Sequence, residues 1–559
     1  MLSHAQSLIL QVLSGRITSS LFTPSSLIRY LTQPHLNINL NTRTHVLLYE
    51  AIITAHVQFQ LLEEALFYLN QMIDHDLVPG SNTFNNVLCC LVKSGCFERA
   101  WLFFNETKGR VRLDAYSFGI MMKGCCESGD LSKGFEVLNQ LVEMGLPLNV
   151  VIYTTLIDGC CKNGDIKQAK KLFLKMGELG LVANPYTYTV LINGLFKKGL
   201  KKDGFELFEN MKTSGVFPNL YTYNCIVKEY CHERKIIKAF ELFDEMCERG
   251  LVCNVFTYNI LIGGLCQEKS VWKAEKLVDQ MKRAGISPNL ITYNRLIDGF
   301  CNVGKLDKAL SLFDELKSNG LSPSLVTYNI LIKGFCNVGK LDKALSLFDE
   351  LRSNGLSPSL ITYNILIKGF SKAGDSDSIS NLVREMEERT IKPSNVTYTI
   401  LIDAFVRADE MEKAFQLHSS MEKAGLVPDV YTHGVLIHGL CRKGNMREAS
   451  KLFKGMREVQ LEPNDVIYNI MILGYCKEGS SYRALSLLKE MEEKQLIPNL
   501  ASYSSIIGVL SKDGKWQEAE LLLNKMIASG LKPSVSIYNI ISKAKNDTNL
   551  ACEEETRDN

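Results

Sequence analysis

The sequence predicts an all-α fold, an α-solenoid of tandem 35-residue helix-turn-helix repeats, and three observations carry that expectation. The string Thr-Tyr-Asn-x-Leu-Ile recurs at Thr257, Thr292, Thr327 and Thr362, each time 35 residues on. Extending that frame covers residues 46–534 as fourteen units, with one residue missing from the unit 81–114. Residues 302–316 and 337–351 are identical, the mark of a recent tandem duplication. Self-similarity this regular means stacked hairpins that share one continuous core, not a string of globular domains.

The unit 290–324 shows why each half is helical. Tyr293, Leu296, Ile297 and Phe300 follow i, i+3, i+4, i+7 spacing. Thr292 is expected to cap that helix at its start and Gly304 to end it, since Gly tolerates a left-handed cap. A second apolar stripe runs through Leu306, Ala309, Leu310, Phe313 and Leu316, and Gly320 and Pro323 close the unit. The Ala309 position is Ala or Gly in every unit except the one carrying Ile379, which suggests close helix approach there.

Composition bounds the rest. The chain has 559 residues, 63 Lys+Arg against 61 Asp+Glu, 46% hydrophobic and 22% charged residues, which excludes a disordered or polyanion-coating protein. No apolar run is long enough to span a membrane. Seventeen Cys occur without any Cys-x-x-Cys pair. Cys126, Cys161, Cys231, Cys266, Cys301, Cys336, Cys441 and Cys476 share one place in their units, so buried packing is expected rather than a metal or disulfide framework. Residues 1–45 read as an organelle transit peptide and leader: no Asp or Glu falls in residues 1–49, which carry Arg16, Arg29 and Arg43 and seven serines. Mitochondrion is favoured over chloroplast. Residues 535–545 read as a partial capping unit and the remainder to 559 as a disordered acidic tail, leaving no room for an appended catalytic domain.

On the helical wheel the second, fifth, ninth and thirteenth residues of a unit share a face. The fifth is Asn in seven units (Asn85, Asn224, Asn259, Asn294, Asn329, Asn364, Asn469) and Thr in three (Thr154, Thr189, Thr399). The closing residue is Asn, Ser or Asp in thirteen of fourteen units. The second is apolar at Val151, Tyr186, Tyr221, Phe256, Ile291, Val326, Ile361, Val396, Tyr431 and Val466. The thirteenth is cationic at Lys93, Lys162, Lys197, Lys372, Arg407, Arg442, Lys477 and Lys512. Capping, turn chemistry, a hydrophobic staple and the helix dipole explain each singly. Together they supply apolar faces for bases, hydrogen-bonding groups for base edges and cations for phosphates, the needs of single-stranded nucleic acid. No catalytic constellation stands out. The zinc-deaminase and zinc-protease signatures are missing, and the Walker-like spacing of Gly299, Gly304 and Lys305 ends in Leu306 where the metal-binding hydroxyl belongs.

Strings such as VFTYNILIGGLC (255–266) and KAEKLVDQMKRAGISPN (273–289) closely resemble the pentatricopeptide repeat, of the pure 35-residue P type. The resemblance implies a right-handed superhelical solenoid that binds organellar RNA, one base per repeat. It gives base selection to the fifth and closing residues and sandwiching of the base to adjacent second residues. On that basis Asn85 with Asp114 implies U. Thr154 with Asn184 and Thr189 with Asn219 imply A. Asn224 with Asn254, Asn259 with Asn289 and Asn469 with Asn499 imply pyrimidines. Asn294 with Ser324, Asn329 with Ser359 and Asn364 with Ser394 imply three consecutive C, and Thr399 with Asp429 implies G. The core target is A-A-Y-Y-C-C-C-G. The pairs Glu50/Gly80, Gly119/Asn149, Gly434/Asn464 and Ser504/Ser534 depart from the pattern and receive no base. No cofactor or metal is expected; other RNA-processing factors are expected as partners. The competing reading is a scaffold that holds a peptide in its groove, for which the fifth and closing pairing has no use.

Overall fold

The structure, a computed structural model, describes residues 42–555. Among these it contains 29 helices, two per 35-residue unit and one more at the C-terminal end. The chain forms two compact units, one ending at Gly264 and the other starting at Leu265. Within each unit, away from the helix Val255–Gln267 in which the boundary falls, the first helices pack on their own second helices and on the first helix of the next repeat.

Nearly every helix is 13 or 14 residues long, which reflects the placement of caps and breakers. The helix Leu290–Asn302 is followed by Val303 and then Gly304 at φ +74°, whose N–H returns to the Cys301 carbonyl at 3.1 Å while that of Lys305 reaches Phe300 at 2.9 Å. This left-handed exit satisfies the last carbonyls of the helix. The unit 81–114, one residue short, has a second helix of only 11 residues, Phe97–Thr107, followed by a connector one residue longer than that after Leu306–Ser318.

The core repeats with the period. Tyr293, Tyr328 and Tyr363 are fully buried. Edge-to-face ring contacts cross from one repeat to the next, as between Phe313 and Tyr328 (5.4 Å) and between Phe453 and Tyr468 (5.2 Å). The periodic cysteines are explained by a glycine. A Cβ built on Gly334 would stand 2.6 Å from Cys301 Sγ, and one on Gly194 2.4 Å from Cys161 Sγ. Seven of the eight periodic thiols fill the notch left by a glycine in the following repeat, Cys476 being the exception, and burial pushes the Cys301 and Cys161 thiols up to about 12. At the Ala309 position the side chain is wholly buried. At the matching position of the repeat 185–219 a Cβ on Gly204 would meet the Phe196 ring at 2.4 Å, so glycine there makes room for a side chain of the partner helix.

A second device links consecutive second helices. Lys282 Nζ lies 2.8 Å from Glu315 Oε1 of the next repeat, and Tyr293 donates to the same oxygen at 2.9 Å. Lys317, Glu350 and Tyr328 repeat the arrangement at 2.6 and 3.1 Å, and Lys212, Glu245 and Tyr223 at 3.0 and 2.8 Å. Burial pushes the Glu315 carboxyl up, but the hydrogen bonds from Lys282 and Tyr293 outweigh it and hold the group below its usual range.

Residues 1–41 of the expected leader lie outside the described residues. Among the described residues the first helix is Thr42–Gln58, so the boundary expected after residue 45 falls inside it. At the other end the helix Val535–Glu555 runs past the expected limit at 545. That stretch contains no Gly or Pro to stop it, so the tail expected to be disordered is helical as far as Glu555.

Candidate nucleic-acid interface

The site is built where each first helix starts. The expected cap at Thr292 is one turn late. The N-cap is Asn289, the closing residue of the preceding repeat, whose Oδ1 accepts from the Thr292 N–H at 3.1 Å. Thr292 is the third helical residue, and its hydroxyl accepts from the Asn289 N–H at 3.2 Å to complete a capping box. The same role falls to Asp114, Asn149, Asn184, Asn219, Ser324, Ser359, Ser394, Asp429, Asn464 and Asn499. Such a cap stabilises a helix by about 1 kcal/mol. Capping thus accounts for the recurrence of Asn, Ser and Asp at the closing position, and that half of the pattern does not separate an RNA groove from a peptide groove.

What capping leaves over differs by residue. Capping occupies the Asn184 and Asn219 carbonyl oxygens, which leaves an NH2 group on each, and these residues are exposed. Asp429 has Oδ2 left, an acceptor only. Ser324 shares its hydroxyl with that of Thr327 at 3.1 Å.

The fifth residue lies against this cap. Asn85 Nδ2 donates to Asp114 Oδ1 at 3.2 Å. Burial pushes the Asp114 carboxyl up, but bonds from Ser117 and Asn85 outweigh it and hold the group below its usual range. Asn469 Oδ1 accepts from the Asn499 N–H at 3.3 Å and the Ser502 hydroxyl at 2.6 Å. The threonines use an intermediary. The Thr154 hydroxyl donates to the Val150 carbonyl and meets the Thr187 hydroxyl at 2.7 Å, and Thr187 in turn reaches Asn184 Oδ1 at 3.1 Å. Thr189 with Thr222, and Thr399 with Thr432, repeat the chain. In contrast, the Oδ1 atoms of Asn85, Asn224, Asn294, Asn329 and Asn364 are buried without a hydrogen-bond partner.

The second residues are not staples. From Val151 to Val466 the ten side chains are 51–67% exposed, although they are apolar. Consecutive ones flank clefts. Tyr186 and Tyr221 border one of 250 Å³ with Lys162 and Lys197, and Tyr221 and Phe256 another of 220 Å³ with Asn224 and Lys197. Ile361 and Val396 border a third, of 360 Å³, with Asn364 and Lys372. A 590 Å³ cleft lies elsewhere, between second helices around Arg457 and Glu490.

The thirteenth residues divide. Lys162 pairs with Asp158 at 2.8 Å and Arg407 with Asp403 at 2.8 Å. Arg442 donates to the Val406 carbonyl at 2.9 Å and pairs with Asp409 at 3.2 Å, so it also closes the end of a neighbouring helix. Lys372 donates to Asn337 at 3.3 Å. Lys93, Lys197, Lys477 and Lys512 stand exposed in the last turns of their helices. Sequence reasoning missed Tyr116, an exposed second residue, and the ninth residues Lys228, Lys333 and Lys368, which line the clefts. Helical spacing from the fifth residue carried that signal. Among the described residues no cluster of His, Cys, Asp or Glu could hold a metal ion, and no helix is long and apolar enough to cross a membrane.

The PPR repeat family model matches residues 79–127, 148–197, 190–232, 218–267, 254–302, 288–337, 323–372, 359–407, 400–442 and 463–512. A PPR repeat model matches 116–146, 431–461 and 501–531. A pentatricopeptide repeat-containing protein of Arabidopsis thaliana is 58% identical over 153 residues, 27% of this chain and 26% of that protein. Another from the same plant, labelled mitochondrial, is 30% identical over 94 residues, 17% of this chain and 23% of that protein. The matches thus span about a quarter of these curated relatives. The crystal structure of the maize pentatricopeptide repeat protein PPR10 has a TM-score of 0.63 at 21% identity, covering 98% of this chain and 87% of that one. That likeness bears on the fold alone.

Proposed function

Because the chain belongs to the pentatricopeptide repeat family, we propose that it is a sequence-specific single-stranded RNA-binding protein that reads one base per repeat. It acts on organellar transcripts, mitochondrial ones first and chloroplast ones as the alternative. It occupies RNA without catalysis of its own, in splicing, stabilisation and processing, or translation. One observation carries this reading: an exposed apolar residue recurs in ten consecutive repeats, in nine of them with a polar fifth–closing pair, and lysines line the three clefts between such residues. Packing has no use for the exposed apolar residue, whereas a base can lie on it, for about 1–3 kcal/mol where it is aromatic, as at Tyr186, Tyr221, Phe256 and Tyr431. The plant relatives, one labelled mitochondrial, support the organellar part.

The test is binding of the purified protein to RNA carrying A-A-Y-Y-C-C-C-G and to a scrambled control. Preference for the first supports the reading; equal affinity, or none for either, overturns it and leaves the peptide scaffold. Ser359→Asp sharpens the test, because a carboxylate replaces the hydroxyl at one step and should move its preference from C towards U.

A further inference from the structure

In ten repeats the fifth and closing residues form a pair to which the family pattern assigns a base. In all ten, the third residue of the following repeat is Thr or Ser. Four repeats depart from the pattern, and in three of them that residue is Ile: Ile152 after Gly119, Ile467 after Gly434, and Ile537 after Ser504. The fourth has Thr83, and there Glu50 Oε1 takes the Gly80 N–H directly at 2.7 Å.

The geometry gives this correlation a cause. In four of the ten the hydroxyl bonds to the fifth residue, at Thr154, Thr189, Thr399 and Asn469; the Thr327, Thr362 and Thr397 hydroxyls bond to the closing serine beside Asn294, Asn329 and Asn364. Thr187 touches both Thr154 and Asn184, Thr432 touches both Thr399 and Asp429, and Ser502 joins Asn469. These hydroxyls are wholly buried, so they touch no ligand and act only on the residues beside them. Where the third residue is Ile, the cap survives, since Asn149 and Asn464 still accept from the Ile152 and Ile467 N–H groups at 3.0 and 3.1 Å. The lateral link is gone. Ile467 also fills the missing side chain's space, because a Cβ on Gly434 would meet its Cγ1 at 3.3 Å. The Ser504 hydroxyl turns back to the Leu500 carbonyl at 2.7 Å.

We propose that the third residue of each following repeat is a positioning residue for base selection, with a hydroxyl holding the fifth residue, the closing residue or both in place and Ile marking a step that accepts any base. The inference rests on the RNA-binding reading. Its mechanism is preorganisation. A side chain already held by a buried hydrogen bond loses less freedom when it meets a base edge and offers one fixed pattern of donors and acceptors.

The experiment selects RNA from a randomised pool and reads base preference step by step. In the unaltered protein the steps of Gly119, Gly434 and Ser504 should show no preference, while that of Thr154 prefers one base. Thr187→Val, close in shape but lacking the hydroxyl, should cut preference at the Thr154 step by about tenfold, the factor for one hydrogen bond of about 1.4 kcal/mol. All other steps should be unchanged, and Thr187→Ser should restore the preference. In the reverse direction a Cβ on Gly119 meets nothing within 4 Å. Gly119→Thr with Ile152→Thr should therefore create a preference there beside Asn149, and Gly119→Thr alone should not. Retained preference in Thr187→Val, loss at all steps together, or no gain in the double variant overturns the proposal. A featureless profile for the unaltered protein instead overturns the RNA reading beneath it.

Discussion

The stretches 150–219 and 290–394 use the same hairpin and the same caps, yet they handle the fifth residue in opposite ways. In the first, Thr154 and Thr189 are buried, and each hydroxyl is spent on a backbone carbonyl and on the threonine of the next repeat. In the second, Asn294, Asn329 and Asn364 are half-buried and each keeps a carbonyl oxygen without a partner. The flanking second residues differ too, Tyr186 and Tyr221 against Val326 and Ile361. One stretch is complete before any ligand arrives. The other carries an unmet acceptor at each step, a cost of about 1–3 kcal/mol for a buried group that only a donor can relieve.

The largest effect tests whether the scaffolds are equivalent. Gly334→Val and Gly194→Val each drive a side chain into a cysteine of the preceding repeat. Both should destabilise by about 1–3 kcal/mol in urea unfolding. A large difference between them would mean that the stretches differ in packing and not only in their polar residues.

Next comes stacking. Tyr186→Ala should weaken RNA binding by about 1–3 kcal/mol, while Val326→Ala, which removes two methyl groups, should cost under about 1.6 kcal/mol. Titration with the same RNA measures both, and equal losses would erase the contrast between aromatic and branched flanks.

The comparison is sharpest in a pair of opposite sign. Thr189→Val removes a satisfied hydroxyl and should destabilise the free protein by about 1 kcal/mol, whereas Asn329→Leu removes an unsatisfied amide and should be neutral or stabilising. Thermal unfolding without RNA decides it, and the same sign for both would refute the distinction. Most of the site was legible before the fold was known, because second, fifth and thirteenth residues recur with the period and the helix puts them on one face. The hidden part was whether each polar atom is spent. Asn85 and Asn469 are the same residue at the same place in the repeat, but Asn469 Oδ1 is taken by Ser502 while Asn85 Oδ1 has no partner.

The smallest effect concerns acid. Above its ordinary value of 4.5 the depressed Glu315 carboxyl is charged in both states, and its bonds to Lys282 and Tyr293 stabilise the fold. That contribution is lost as pH falls through the lower folded value, so the melting temperature should drop below about pH 4.5. Glu315→Gln should flatten the drop slightly, since the pair is partly exposed and screened; an unchanged acid profile would remove Glu315 from the account.

The sequence by itself determined the hairpin, its period and the face that carries the recurring polar and apolar residues. Glycine exits, apolar spacing and cap residues act within a single turn or a single helix, so local chemistry reveals them. Tertiary structure alone decided that seven of the eight periodic cysteines fill a glycine notch and that an asparagine keeps or loses its free oxygen. Those outcomes depend on atoms brought together from neighbouring repeats, about 30 residues apart in the chain. A periodic pattern names such residues without stating which of their hydrogen bonds are already made.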